Sequence, residues 1–202
     1  MKRVLALSGK RFSGKDTLAA MLVEAARERG VALVTYAFAA ESKRLFVERQ
    51  AGLGVEVNLD RLQRDRAYKE AWRPKLTELT VAAIAADPLV FCRAVGDRIA
   101  AGAERALVTD VRLRLEIEHL RSRFDLHLVR LQRSDAARAS SGFVFDPVAD
   151  RHPTETELDD PSLWDEVVDN DGTEGQLAEK ARALVDRVVL RDHAPSTIER
   201  PT

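Results

Sequence analysis

Apolar residues recur along this chain in two alternating rhythms. Short runs rich in Val, Leu and Ala at 4–7, 31–38, 106–109, 126–131 and 167–168 read as strands, the longer ones bounded by charges or turn residues. Between them the spacing becomes helical. Over 15–29, Leu18, Met21, Leu22 and Ala25 fall three and four residues apart, and the pattern stops at Gly30, where a left-handed cap forms easily. Stretches 39–51, 68–85, 88–101, 113–123 and 173–189 read the same way. Pro74 falls inside the third helical pattern, so that helix is expected to begin near Arg73 or to kink there. Strands alternating with helices predict an α/β fold, a three-layer α/β/α arrangement around a mostly parallel sheet of about five strands.

Two stretches break the rhythm. Residues 52–66 contain glycine and then become densely charged, which reads as a mobile connection. Residues 134–161 carry Gly142, Pro147, Pro153 and Pro161 among many acids, too long for an ordinary loop, and are expected to be a lid insertion. One domain over 1–190 is expected, followed by a peripheral tail, RDHAPSTIERPT, over 191–202.

Composition narrows the class. The 202 residues include 32 basic and 33 acidic side chains, a formal charge of -1, so no general electrostatic case exists for nucleic acid or an anionic membrane. One cysteine, Cys92, excludes an internal disulfide, and one thiol with four scattered histidines suggests no metal cluster. No apolar stretch approaches ~18 residues and no secretory pattern opens the chain, so a cytoplasmic protein is expected. A monomer is expected, although nothing in the pattern decides oligomeric state.

The chemistry gathers after the first apolar run. In SGKRFSGKDT, Gly9 and Gly14 let the backbone curl between strand and helix so that N–H groups face an anion at the helix's positive end. Lys10, Arg11 and Lys15 supply charge, and Ser13 and Thr17 flank the turn. The common pattern places a hydroxyl after the lysine to hold magnesium, and Asp16 stands there instead. A carboxylate can ligate Mg²⁺ directly or through water. Thr17 is displaced by about 100° around the helix and is a weaker ligand. Asp110, at the end of a strand-like run, reads either as a second magnesium-holding or water-holding acid or as a cap for the helix beginning near Leu113. Phosphoryl transfer relies on electrostatic stabilisation, so Lys69, Arg73, Arg93, Arg130, Arg133 and Arg138 are candidate cations, each weighed against a solvated surface role.

SGKRFSGKD, YKEAWRPKL, ADPLVFCRAV, LVTDVR, RASSGFVFDP and VVDNDGTEGQL, in this order, together resemble the animal-type phosphomevalonate kinases, a branch of the nucleoside-monophosphate-kinase-like P-loop fold. That family also carries Asp after the loop lysine. The resemblance implies transfer from ATP to (R)-5-phosphomevalonate, giving ADP and 5-diphosphomevalonate with Mg²⁺. It implies phosphate-loop roles for Lys10, Arg11, Lys15 and Asp16, acceptor-side roles for Lys69, Arg73, Arg93 and Arg112, and positions before and within the lid for Arg130 and Arg138. Asn170 resembles an asparagine near the adenine.

Two positions depart from the family pattern: Leu113 and Ser141 stand where the family tends to have arginines. Losing a charge-assisted contact to phosphate costs ~1.5 to 3 kcal/mol. Either Arg114 and Arg133 compensate or the acceptor differs. A nucleoside or deoxynucleoside monophosphate acceptor would require a base pocket, for which Trp72, Phe91 and Phe143 are candidate stacking surfaces. A nucleotide-binding module without transfer is the third reading.

Overall fold

A computed structural model describes residues 1–102 and 104–190; the proposed tail lies outside the described residues. Five parallel strands, β1 (Arg3–Ser8), β2 (Val34–Tyr36), β3 (Arg105–Val108), β4 (Asp125–Gln132) and β5 (Glu166–Asp169), form one sheet in the order β2-β3-β1-β4-β5. β1 therefore lies in the middle, where the strand order reverses and the carboxyl ends of its neighbours diverge to leave a ligand crevice.

Alternation along β1 builds both faces. Leu5 and Leu7 join α1 (Lys15–Glu28) and α9 (Glu174–Leu184) in one core, whereas Val4 and Ala6 join α5 (Val90–Ala101) and α6 (Arg114–Arg123) in the other. The fold is thus the three-layer α/β arrangement that the pattern predicted. A π-helical turn over Val185–Val189 continues α9 and covers the first core with Val185, Val188 and Val189.

Several boundaries differ from expectation. β2 is shorter than 31–38 because Phe38 already opens α2 (Phe38–Gly52) and packs into the second core. Residues 52–66 are not an irregular connection: they contain α3 (Leu59–Arg64), capped by Asn58, whose side chain accepts the Arg61 N–H at 2.9 Å. Two apolar residues hidden among the charges, Val57 and Leu62, bury against Phe46 and anchor this segment. α4 (Arg66–Ala86) begins at Arg66, not Arg73, because Asp65 accepts the Tyr68 N–H at 3.0 Å and starts the helix early. Pro74 lies inside it, where the missing N–H forfeits one intrahelical bond.

Within 134–161 the chain forms α7 (Asp135–Ser140) and α8 (Pro153–Thr156), and a 3-10 turn follows over Pro161–Leu163. Leu158 is only 2% exposed and enters the second core, so the end of this segment is tied to the domain. Val144, Phe145 and Val148, by contrast, are exposed at its tip. No single described helix is long and apolar enough to cross a membrane.

Candidate active site

The loop between β1 and α1 forms at the sheet's reversal point. Gly14 takes φ +91°, a left-handed conformation that L side chains rarely adopt, and a Cβ there would stand 2.5 Å from Asn170 Nδ2. A Cβ on Gly9 would meet Leu131 O and Ser13 Oγ, each at 2.7 Å. Both glycines are therefore required by the backbone path. Phe12 also holds a positive φ of 62°, which costs ~1 to 3 kcal/mol and marks a turn held by its surroundings. With Gly14 as N-cap, no side chain caps α1, leaving its first N–H groups for an incoming anion.

The braces are specific. Asn170 Nδ2 donates to Ser13 O at 2.8 Å, so the asparagine after β5 holds the loop itself. The β1/β4 register sets Ser8 beside Arg130, whose Nη1 donates to Ser8 Oγ at 3.1 Å. Arg138, buried on α7, donates through Nε to Arg11 O at 2.9 Å and lies 3.7 Å over the Phe143 ring, which meets Phe12 edge-on. Ser13 Oγ and Arg133 Nε are buried without a hydrogen-bond partner. Both residues line a cavity of about 520 Å³ with Lys10, Arg130, Arg138 and Trp164. Asp135, Asp159, Asp169 and Asp171 also line it, so this is a polar cleft of mixed charge with orphaned donors that suit a polar ligand.

Lys15 is half-buried rather than freely solvent-facing. Burial, then the nearby Arg112 charge, lowers its pKa, opposed by Asp16, Glu155 and Asp110. Asp16 and Thr17 are exposed at the start of α1. Asp110 does cap a helix, but it is α2: its two carboxylate oxygens accept the Phe38 and Ala39 N–H groups at 2.8 and 2.9 Å. The start of α6 is capped instead by Glu116, which accepts from the Arg112 and Leu113 N–H groups at 2.7 and 3.0 Å. Burial raises the pKa of Asp110 against these backbone bonds and the charges of Arg112 and Lys15.

The cations divide into two groups. Lys10 pairs with Asp159 at 2.7 Å, Arg11 with Asp150 at 3.3 Å, Arg130 with Asp159 at 2.8 Å, and Arg112 with Glu155. These surround the loop. Arg73 on α4 and Arg93 on α5 instead pair locally with Glu70 and Asp87 at the surface. Burial lowers the pKa of Lys43 on α2, and the charge of half-buried Lys69 lowers it further. The charge of Asp110, which caps α2 one turn earlier, acts on Lys43 in the opposite sense. Lys43 was not among the candidates from sequence, since its ESKR surroundings resemble any solvated helix face. Glu155 and Asp159 also went unselected, although their i,i+4 spacing in TETELD places both on one side of a turn.

The two candidate compensating arginines separate here. Arg114 is engaged at the lid base, donating to Asp160 at 3.0 Å, whereas Arg133 faces the cleft. Of the candidate stacking rings, Trp72 packs edge-on against Phe46 at 5.7 Å and Phe91 is buried in the second core. Only Phe143 borders the loop, beneath Arg138.

A parallel sheet with a glycine-braced phosphate loop at its reversal point and a polar cleft above is the architecture of the P-loop kinases. Solved structures share this fold. A Thermus thermophilus protein matches with a TM-score of 0.58 and 18% identity over 93% of this chain and 98% of its own. APS kinase from Mycobacterium tuberculosis, in complex with AMPPNP and APS, matches at 0.52 and 13% identity over 92% and 98%. A sugar kinase from Janibacter sp. matches at 0.51 and 16% over 96% and 100%. A family model for phosphomevalonate kinase matches residues 7–126, more than half of the chain. The chain belongs to the phosphomevalonate kinase family and is an ATP-dependent small-molecule phosphotransferase.

Proposed function

We propose that this kinase transfers the γ-phosphoryl group of ATP to the phosphate of (R)-5-phosphomevalonate. What supports the reading is the match to the phosphomevalonate kinase family over residues 7–126, with cations beyond the loop's own Lys10 and Arg11: Arg112 near Lys15, and Lys43 near Lys69. An acceptor bearing both a phosphate and a carboxylate uses such cations, whereas a nucleoside monophosphate needs a ring platform, and Trp72 and Phe91 are spent on packing. A phosphate oxygen of the acceptor attacks the γ-phosphorus while the bond to the β,γ-bridging oxygen breaks, leaving ADP. Lys15 and Arg11 neutralise charge on the transferred group, and Arg138 steadies the loop by holding Arg11 O.

Magnesium fits as a partner of the nucleotide. Among the described residues no group of three or more His, Cys, Asp or Glu could hold a metal, and Mg²⁺ usually takes only one or two carboxylates with phosphate oxygens and water. Asp16, exposed beside Lys15, is the direct candidate; Asp110, with both oxygens already accepting N–H groups, suits contact through water. Bound there, the ion would offset the charge of the β- and γ-phosphates. The exposed tip of the lid, 141–152, closes over the pair of substrates and excludes water. A cytoplasmic monomer remains the proposed setting.

The test is ADP release with phosphomevalonate beside a panel of nucleoside and deoxynucleoside monophosphates. Turnover of phosphomevalonate at least 100-fold above every nucleotide is expected. Clear turnover of a nucleotide with none of phosphomevalonate would overturn the assignment.

A further inference from the structure

The catalytic cations are matched by acids that no step of phosphoryl transfer requires. Glu155, only 9% exposed, sits between the two halves of the site. One carboxylate oxygen accepts the Arg11 N–H of the phosphate loop at 3.1 Å; the other receives Arg112 Nη1, which also donates to Thr154 O at 3.3 Å. Four residues later, Asp159 joins Lys10 to Arg130 in the same manner, at 2.7 and 2.8 Å. Each acid therefore ties one loop residue to one arginine following or within a neighbouring strand.

These acids are mounted on a fixed part of the insertion. Leu158, between them, is buried in the core. Arg114 grips the same turn from α6, its N–H donating to Glu157 Oε1 at 2.7 Å and its Nη2 to Asp160 Oδ2 at 3.0 Å. A carboxylate anchored in this way is poorly placed to swing aside for a phosphate. It is well placed to hold mutually repelling cations at set positions before substrates arrive.

We propose that Glu155 is a positioning residue that fixes Arg112 against the phosphate loop, so that acceptor and ATP phosphates meet in line, with Asp159 as the parallel brace for Lys10 and Arg130. This rests on the kinase reading of the site but not on which acceptor it uses. Arg112 would otherwise have only a carbonyl, Thr154 O, among its hydrogen-bonded side-chain partners. Its guanidinium would then sample positions away from the acceptor.

The experiment measures kcat and both KM values for wild type, Glu155→Gln, Arg112→Met and the double variant, using whichever acceptor the wild type turns over best. Glutamine keeps the size and still accepts the Arg11 N–H but loses the charge facing Arg112. The expected result is a loss of about 10- to 100-fold in kcat/KM for the acceptor. KM for ATP should stay within about threefold, and no further loss is expected when Glu155→Gln is added to Arg112→Met. Glu155→Asp, which retains charge but draws it back by one methylene, should lose acceptor kcat/KM similarly and covers the case in which the glutamine variant does not fold. Additive losses in the double variant would overturn the proposal. So would unchanged kinetics, or tighter binding of an ATP analogue, which would mark Glu155 as a competitor for the phosphate position. If phosphomevalonate is not the acceptor, the wild-type panel alone reveals it, and the comparison among variants still reads the brace.

Discussion

The loop side and the helical-arm side of the site are built in different ways. The phosphate loop is braced by buried or backbone contacts, Asn170 on Ser13 O, Arg138 on Arg11 O, Arg130 on Ser8 Oγ, and by two glycines that admit no Cβ, with the Lys10 and Arg11 ion pairs outside them. The arm made by α3 and α4 has a core of three buried residues, Phe46, Val57 and Leu62, and α4 itself buries none of its residues fully. Arg73 on α4 ends on Glu70 at the surface, as Arg93 on the neighbouring α5 ends on Asp87. On the proposed assignment, the triphosphate side thus depends on a braced backbone path, which side-chain replacement barely moves. The proposed acceptor side depends instead on long cationic side chains such as Lys43 and Lys69, where substitution is expected to change specificity at little structural cost.

Removing the loop's charge should break the comparison most completely. Lys15→Ala is expected to lower kcat on the order of 10³-fold, because no neighbour can reach the transferred phosphate from the same point. Stability should change by less than ~1 kcal/mol, since the lysine is repelled by Arg112 as well as attracted by Asp16 and Glu155. Single-turnover kinetics with thermal melting checks both. Near-normal turnover would show that the loop is not the transfer site.

On the acceptor side the expected effect is smaller and more selective. Lys43→Met keeps the aliphatic stem that α2 half-buries but removes one of the two neighbouring ammonium groups. Acceptor KM should rise about tenfold while ATP KM stays within twofold, as expected for one charge-assisted contact. Equal changes in both constants would mean that the two halves are less separate than their construction suggests.

How far each half was legible in the sequence follows from the same difference. The loop was readable because its constraints are local: Gly9, Gly14 and Lys15 have to stand at fixed spacing between a strand and a helix. The five strands were readable from their apolar runs, although 31–38 shrank to Val34–Tyr36 once Phe38 was claimed by α2. α3 was not readable, since two apolar residues among RLQRDR and its neighbours give no periodic signal over so short a helix. Asp110 was placed at a strand end correctly, yet the helix it caps begins 72 residues earlier in sequence, a long-range contact that no local window contains. Glu155, Asp159 and Lys43 escaped for the same reason. Each is an ordinary surface charge until the topology sets it opposite a partner from another strand or helix.

The subtlest test concerns the joint between the halves, where Glu116 holds the Arg112 and Leu113 N–H groups. Burial pushes its pKa from 4.5 up to about 7, opposed by those two bonds and reinforced by Asp110. The unfolded chain releases this proton near pH 4.5, whereas the folded protein keeps it until about pH 7. Between these values the folded state binds more protons, so stability falls as pH rises through the window and levels off above it. Across pH 6 to 7 the decline should be on the order of 1 kcal/mol. Glu116→Gln still accepts from the two N–H groups but cannot ionise, so its urea midpoint should lack the decline that Glu116 causes in the wild type, while His119, whose pKa burial lowers, contributes alike to both. Asp110, Arg112 and Cys92 face the same carboxyl in both proteins, so only the difference between the two slopes belongs to Glu116. Parallel slopes would mean that Glu116 is already ionised at pH 6 and holds the Arg112 turn as a full charge.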